Sequence, residues 1–365
     1  MATVNYECPN CGGALKFNPD KQMFSCEYCF SDFSNAQIQQ IYAQKEQSQT
    51  EDERAMEAEA RQKAEAKAAG VDDEGGFGVT YTCPTCGAEI VTSETTAATT
   101  CFYCQNPVVL GGRLSAAFKP DRVVPFALSK DKAVEKFMQM CGSKKFLPPG
   151  FASKKQFEKM QGVYFPYWYV DERNQSAMVA TGKKTRRWKE GNRNYTETTT
   201  YRLYRTADIE LRNVFERALK SNDREMLQGV HPFDLTKAQP FAMSFLSGFQ
   251  AEKRDLEKQD VTPNIEQRMK QYSESLLSDT TSDFESVHTE SFNQKKYGQL
   301  WNYTLLPVWI VTYKFNGEIL PFAINGQTGK TYGKLPIAKG KVFAVASIIA
   351  AACTVLGVIG GFLFR

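Results

Sequence analysis

The sequence predicts an α+β protein: two small four-cysteine zinc ribbons joined by a helical linker, a mixed α+β cytoplasmic domain, and one C-terminal transmembrane helix. Three observations predict it. Eight of the ten cysteines form four Cys-x-x-Cys pairs. The stretch between the two halves of that pattern is rich in Ala, Glu, Lys and Arg. The final apolar run is long enough to cross a bilayer. The expected boundaries are 1–34 for the first ribbon, 35–76 for the linker, 77–110 for the second ribbon, 111–336 for the α+β domain and 342–364 for the membrane helix.

The ribbons rest on spacing. Cys8 and Cys11 are followed after 14 residues by Cys26 and Cys29, and Cys83 and Cys86 are followed after 14 residues by Cys101 and Cys104. Four thiolates suit a closed tetrahedral zinc site, so the expected cofactor is two structural Zn(2+) ions. Gly12 and Gly87, just after each first pair, supply backbone freedom where the turn tightens. The residues between the pairs alternate well enough for a short hairpin in each cassette. A redox Cys-x-x-Cys needs one pair at a helix start in a larger fold, which this doubled pattern does not resemble. A closed donor set leaves no open position for water, which argues against catalytic zinc. Cys141 and Cys353 stand apart, and Cys141 reads as a small buried residue.

The linker carries few large apolar side chains, with Ile38, Ile41, Tyr42 and Met56 the exceptions, and reads as a solvated helical spacer ending at the hinge-like GVDDEGGFG. In the α+β domain a helix is expected over 129–140 and another from Ser153, with Gln156 in the capping-box position. Strands are expected at 163–170, 175–182, 195–206, 284–293, 303–315 and 318–324, with helices at 208–228 and 251–278. The phrases Phe165-Pro166-Tyr167-Trp168 and Leu306-Pro307-Val308-Trp309 look alike, and their tryptophans read as core anchors.

Residues 342–364 contain no charge over 23 positions. As a helix they would span about 34 Å, against roughly 30 Å of hydrocarbon. Lys334, Lys339 and Lys341 precede the run, which orients the N-terminal region to the cytoplasm. No basic stretch followed by an apolar run opens the chain, so no secretory signal is expected. A reducing cytoplasm agrees with metal-bound thiols. Gly357 and Gly361 form a weak helix-packing signal.

Other motifs fail or stay open. Gly329-Lys330-Thr331 supplies the last three positions of a phosphate loop, but Ile324 stands where its first glycine must be, so Asn325-Gly326 reads as a hairpin turn. His231 and His288 sit beside no nucleophile motif, and no catalytic constellation is found. Residues 182–193 hold six basic residues, one acid and Trp188. The plainest reading is a solvated loop between strands. Near a bilayer, 183–193 would suit an anionic lipid surface, and nucleic-acid phosphates are the remaining reading. A net charge of +4 over 365 residues falls short of a dedicated nucleic-acid coat.

The eight paired cysteines, the two Pro-x-Trp phrases, Asn325 to Lys330 and the apolar tail together resemble the bacterial TFIIB-type zinc-ribbon proteins with a C-terminal membrane anchor, often labelled primosomal-helicase-like. That resemblance implies no enzymatic role. It implies membrane and cytoplasmic protein partners, phage-shock-protein-A-like or SPFH-domain proteins among them, and a part in envelope stress. The expected function is a tail-anchored, cytoplasm-facing zinc-ribbon adaptor of the bacterial cell membrane, with a single pass. The alternative is a nucleic-acid-binding or transcription-related zinc-ribbon protein.

Overall fold

A computed structural model describes residues 3–4, 6–42, 79–83, 86, 89–93, 95–101, 106–110, 114, 118–148, 151, 160–220, 224–315 and 318–363. The linker interior at 43–78, the helix expected from Ser153, Gly87 and Cys104 lie outside these residues, as do the side chains of 357–363.

The first cassette begins with β1 (Thr3–Val4) and builds its own three-stranded sheet from β2 (Leu15–Asn18), β3 (Met23–Cys26) and β4 (Asp32–Phe33). Helix α1 (35–42) follows at once. Ser34 and Gln37 exchange hydrogen bonds across its first turn, a reciprocal cap that starts the helix where the sheet stops. Ile38 and Tyr42, one helical turn apart, are both buried against the cassette. The linker therefore opens as part of the first cassette's packing.

The second cassette differs. Strand β5 (Val79–Thr82) pairs with β6 (Glu89–Thr92), while β7 (Thr96–Thr100) pairs with β8 (Pro107–Leu110). Among the described residues, β6 and β7, which lie between the cysteine pairs, are paired in separate sheets, where a hairpin was expected. Strand β8 also takes β1 along its other edge, so both cassettes feed the large 11-stranded sheet.

That sheet is arranged about a local pseudo-twofold axis. Short strand β9 (Arg122–Val123) leads to helix α2 (Lys130–Gly142), long strand β10 (Gln161–Glu190) and return strand β11 (Arg193–Arg217). After α3 (Arg224–Gly229) and β12 (Gln239–Pro240), the pattern recurs as β13 (Gln250–Glu252), α4 (Lys258–Asp279), β14 (Ser286–Phe315) and β15 (Glu318–Asn325). Strands β10 and β14 are antiparallel neighbours, with Phe165 opposite Leu306. Each takes the other unit's short strand in parallel, Val163 beside Gln250 and Thr304 beside Arg122, and then its own return strand, from Tyr167 and from Val308. Pro166 and Pro307 stand where each long strand changes neighbours, a place in the ladder that needs no N–H. Their carbonyls accept from Ala218 and Gly326, the residues just past the two return strands.

The tryptophans complete the match. Trp168 Nε1 donates to Leu256 O and Trp309 Nε1 donates to Leu128 O, each at 3.0 Å. Each ring thus pins the loop before the other unit's helix. They are core anchors, as the sequence suggested.

Three expectations are corrected in this domain. Residues 208–217 are strand, where a helix was expected. The apolar positions Ile209, Leu211 and Val214 mimic helical spacing because a bulge adds one residue before Val214: the register shifts between Val170 and Glu172, and Asn213 takes φ 58°. The Asn213 N–H is held by Asp171 Oδ1 at 2.7 Å. The basic segment 182–193 is strand up to Glu190, and only a two-residue turn at Gly191 and Asn192 separates it from β11. Charge and small polar residues suggested a loop, but the β10–β11 ladder continues through them. Strands expected separately at 284–293 and 303–315 are one strand, β14.

Helix α4 lies across β10 and β11, burying Val261, Ile265, Met269, Ser273 and Leu277 at four-residue intervals. Beneath it, Asn174 donates to Glu172 and to Ser273, so the buried carboxylate is satisfied by neutral amides, Gln294 and Gln299 included. After β16 (Thr331–Gly333), helix α5 (Lys339–Leu363) is apolar, 25 residues long and long enough to cross a membrane. Its described window, Lys339–Leu356, is unburied by the rest of the protein. The entry to α5 is held where Ala338 donates to Phe146 O and Lys341 Nζ to Leu147 O.

Candidate metal centres

Two cysteine clusters form. Cys8, Cys11, Cys26 and Cys29 bring four sulfurs within 4.8 Å of one another, and Cys83, Cys86 and Cys101 do the same with three. Cys104 lies outside the described residues.

In the first cluster two similar knuckles face each other. The Cys8 N–H donates to Gly13 O and the Gly12 N–H to Cys8 O; the Cys26 N–H donates to Ser31 O and the Phe30 N–H to Cys26 O. Closing such a turn puts the residue after the second cysteine in the left-handed region, with φ 74° at Gly12 and 59° at Phe30. Glycine reaches it freely, whereas Phe30 carries a side-chain penalty. The second cluster repeats one of these bonds, from Cys101 N–H to Asn106 O at 2.9 Å.

The sulfur geometry fits a tetrahedral metal. Zinc–thiolate bonds of about 2.3 Å place ligand sulfurs about 3.8 Å apart. The observed separations are 3.5 Å for Cys8–Cys29, 3.5 Å for Cys11–Cys26 and 3.8 Å for Cys86–Cys101. Each cluster could therefore coordinate a metal ion. Cys8 and Cys26 are buried, while Cys11 and Cys29 are exposed. Hydrogen bonding with the Ser31 hydroxyl and backbone draws the Cys29 thiol down to about 6. A backbone bond at Gly13 works in the same direction on Cys11, but the neighbouring thiols outweigh it and push Cys11 up to about 12. A bound cation would favour the thiolate form of all four sulfurs.

Supporting residues that sequence spacing did not single out surround this cluster. Asn10 donates to Ser31 Oγ at 2.9 Å, and Ser31 touches Cys29 Sγ at 3.3 Å. Tyr42 receives the Glu7 N–H and donates to Glu7 O, with its ring edge-on to Tyr6. The Ser34-x-x-Gln37 cap was the available signal for this helix. The cluster is also fastened to the main core: Phe17 and Phe24 pack on Phe245, and the Phe17 N–H donates to Ser247 O.

The remaining candidates serve the fold. Cys141 is buried and its thiol is pushed up to about 11 by desolvation. His231 stacks on Phe215 at 3.8 Å, and burial together with the charges of Lys330 and Arg268 holds it down to about 3. Asn325 builds the turn expected there: its side chain accepts from Gln327 and Thr328 and donates to Val230 O and Pro232 O. Lys330 donates to His231 O.

No family model matches the sequence, and no solved structure matches it. Among curated proteins, the chain is 30% identical over 249 residues to the uncharacterized protein YdjG of Bacillus subtilis strain 168, a match that covers 66% of this chain and 71% of that protein.

Proposed function

The chain belongs to the family of the Bacillus subtilis protein YdjG, and from that premise we propose that it is a zinc-loaded adaptor that gathers protein partners at the cytoplasmic face of the bacterial cell membrane. The observation that carries this reading is the pairing of cysteine-only clusters with an apolar helix able to span a bilayer. Thiolates on every described corner favour zinc and hold it closed, so the metal supplies folding energy and fixed surface loops. Cys8, Cys11, Cys26 and Cys29 would hold one ion, and Cys83, Cys86, Cys101 and Cys104 the other. On this reading the protein is non-enzymatic, and its partners are membrane and cytoplasmic proteins, with phage-shock-protein-A-like and SPFH-domain proteins as the first candidates in an envelope stress response.

The test is purification of the full-length chain from its own membrane after in-cell cross-linking, with metal analysis of the same sample. Two zinc ions per chain and a reproducible set of membrane-associated partners are expected. Recovery of the chain alone, or with only nucleic acid, would reject the adaptor.

A further inference from the structure

The β10–β11 hairpin continues past every other described strand. β14 last meets β10 at Lys183 opposite Ser286, whereas β10 and β11 stay paired to Glu190 opposite Arg193. Residues 184–199 thus form a two-stranded ribbon, and the stretch from 186 to 202 is exposed throughout. A ribbon of this kind is marginal in water by itself.

Its two faces differ. Directly paired residues share a face. One face carries Lys183, Arg187 and Lys189, and the residues opposite them are Thr200, Thr196 and Asn194. That face has no carboxylate over 183–200, and none of the three cations is in an ion pair among the described residues. The other face is balanced: Arg186 is opposite Glu197, Lys184 bridges to Asp283 at 2.6 Å, and Trp188 stacks on Tyr195 at 5.4 Å.

The outer edge of β11 is a ready template. It pairs with β10 alone among the described strands, and its register runs without a shift from Leu211 to Arg193. Proline and bulges, which usually guard an edge, are absent from 193–202. The threonines of β11 are short, and strands lie about 4.8 Å apart, so the lysine and arginine heads on β10 reach over them to the edge.

Topology decides among anionic partners. The chain leaves the sheet through Gly333, which pairs with Phe322 opposite Val311, beyond the level at which Gln161 meets Ile310. The apolar helix follows from that end, and the ribbon tip lies at the other, on the order of 90 Å along the strands. The tip therefore points away from the chain's own anchor. A groove for single-stranded nucleic acid lines one channel with both cations and stacking rings. Here Lys183, Arg187 and Lys189 lie on the face away from Trp188 and Tyr195, and on the aromatic face those two rings stack on each other with Arg186 set against Trp188.

We infer that the β11 edge at 193–202 receives an acidic, extended segment of a partner protein as an added strand, with Lys183, Arg187 and Lys189 reading its carboxylates. This rests on the adaptor reading and gives the partner a chemistry.

The probe is a fluorescent ten-residue peptide alternating glutamate with valine or threonine, offered to the full-length protein in zwitterionic nanodiscs. A second peptide is N-methylated on alternate backbone nitrogens, which removes its hydrogen-bonding edge. The first peptide should bind, and the methylated one at least tenfold more weakly. Lys183→Glu, Arg187→Glu and Lys189→Glu together should weaken binding at least tenfold while leaving metal content and melting midpoint unchanged, since all three side chains are exposed. Absence of binding, indifference to methylation or an unaffected triple variant overturns the inference. So does tighter, triple-variant-sensitive binding of phosphatidylglycerol vesicles or a single-stranded oligonucleotide. Cross-linked partners captured equally by the triple variant and the unmodified chain would remove the ribbon's role and leave the adaptor standing. Capture by neither would remove the adaptor, and the peptide measurement would still decide the edge.

Discussion

The two β-α-β-β units match near their shared axis and diverge away from it. Return strand β11 has 25 residues against 8 in β15, and helix α4 has 22 against 13 in α2. Close to the axis, each unit has a proline at the change of strand neighbour and a tryptophan N–H on the other unit's loop. One further pair of positions shows where equivalence stops. Phe126 and Arg254 each lie under the opposite tryptophan, the Phe126 ring 4.9 Å from Trp309 and the Arg254 guanidinium 5.1 Å from Trp168. Their N–H groups both meet a buried tyrosine hydroxyl, on Tyr164 and Tyr303. The backbone role is kept, while one side chain fills space and the other places charge on aromatic rings. Contacts at the axis must close the same ladder twice, which restricts both units; strand length beyond it has no such constraint.

The largest effect is expected where one cassette braces both units. The first cassette reaches the second unit through the Phe17 N–H to Ser247 O and the first through Gln22 Nε2 to Phe126 O. Cys26→Ser should remove one metal ion per chain and about 5 kcal/mol or more of stability. Hydrogen exchange at 122–126 and 247–252 should rise together; a rise in only one segment would show that the cassette serves that unit alone. Next, Phe126→Ala should cost about 3–5 kcal/mol as a buried aromatic deletion, and Arg254→Ala about 1–3 kcal/mol through lost ring contacts. Denaturant unfolding gives both, and a reversed order would mean that the charged unit is the more tightly packed.

Smaller and nearly equal losses, about 1–2 kcal/mol each, should follow Trp168→Phe and Trp309→Phe, since each leaves one loop carbonyl without its donor. A threefold disparity would break the proposed equivalence. The smallest effect at neutral pH concerns a ring with no counterpart in the second unit. His231 is held down to about 3 in the fold by burial, then by Lys330 and Arg268, against an ordinary value near 6.5. Below about pH 6.5 the unfolded chain takes up a proton that the folded chain refuses, so stability is full above that pH and falls as pH drops toward 3. His231→Phe should flatten this portion of the pH profile in thermal melts, and an unchanged slope would assign it to other groups.

Much of the metal chemistry was legible because thiol spacing is local: a Cys-x-x-Cys turn brings its own sulfurs together wherever it lies. The membrane helix was legible for a related reason, since 23 uncharged residues meet the bilayer through composition and length. The Pro-x-Trp likeness was visible, but its meaning was not, because strand partners far apart in the chain decide which proline can forgo its N–H. The segment 208–217 misled for a physical reason: a bulge converts the two-residue period of a strand into steps of two and three, which a periodicity reading takes for a helix. Ser31 and Asn10 had no motif to mark them, since their role is to steady another residue's ligand geometry, and only the Ser34-x-x-Gln37 cap signalled the helix that carries Tyr42.

By itself the sequence determined the cysteine knuckles, the apolar helix and the basic charge of 183–193, all set by residues near one another in the chain. Only the tertiary structure decided that the basic stretch is a projecting ribbon with unlike faces, and that its tip and the membrane helix occupy opposite ends of one sheet. Both depend on register across strands, and register is fixed by pairing with distant segments.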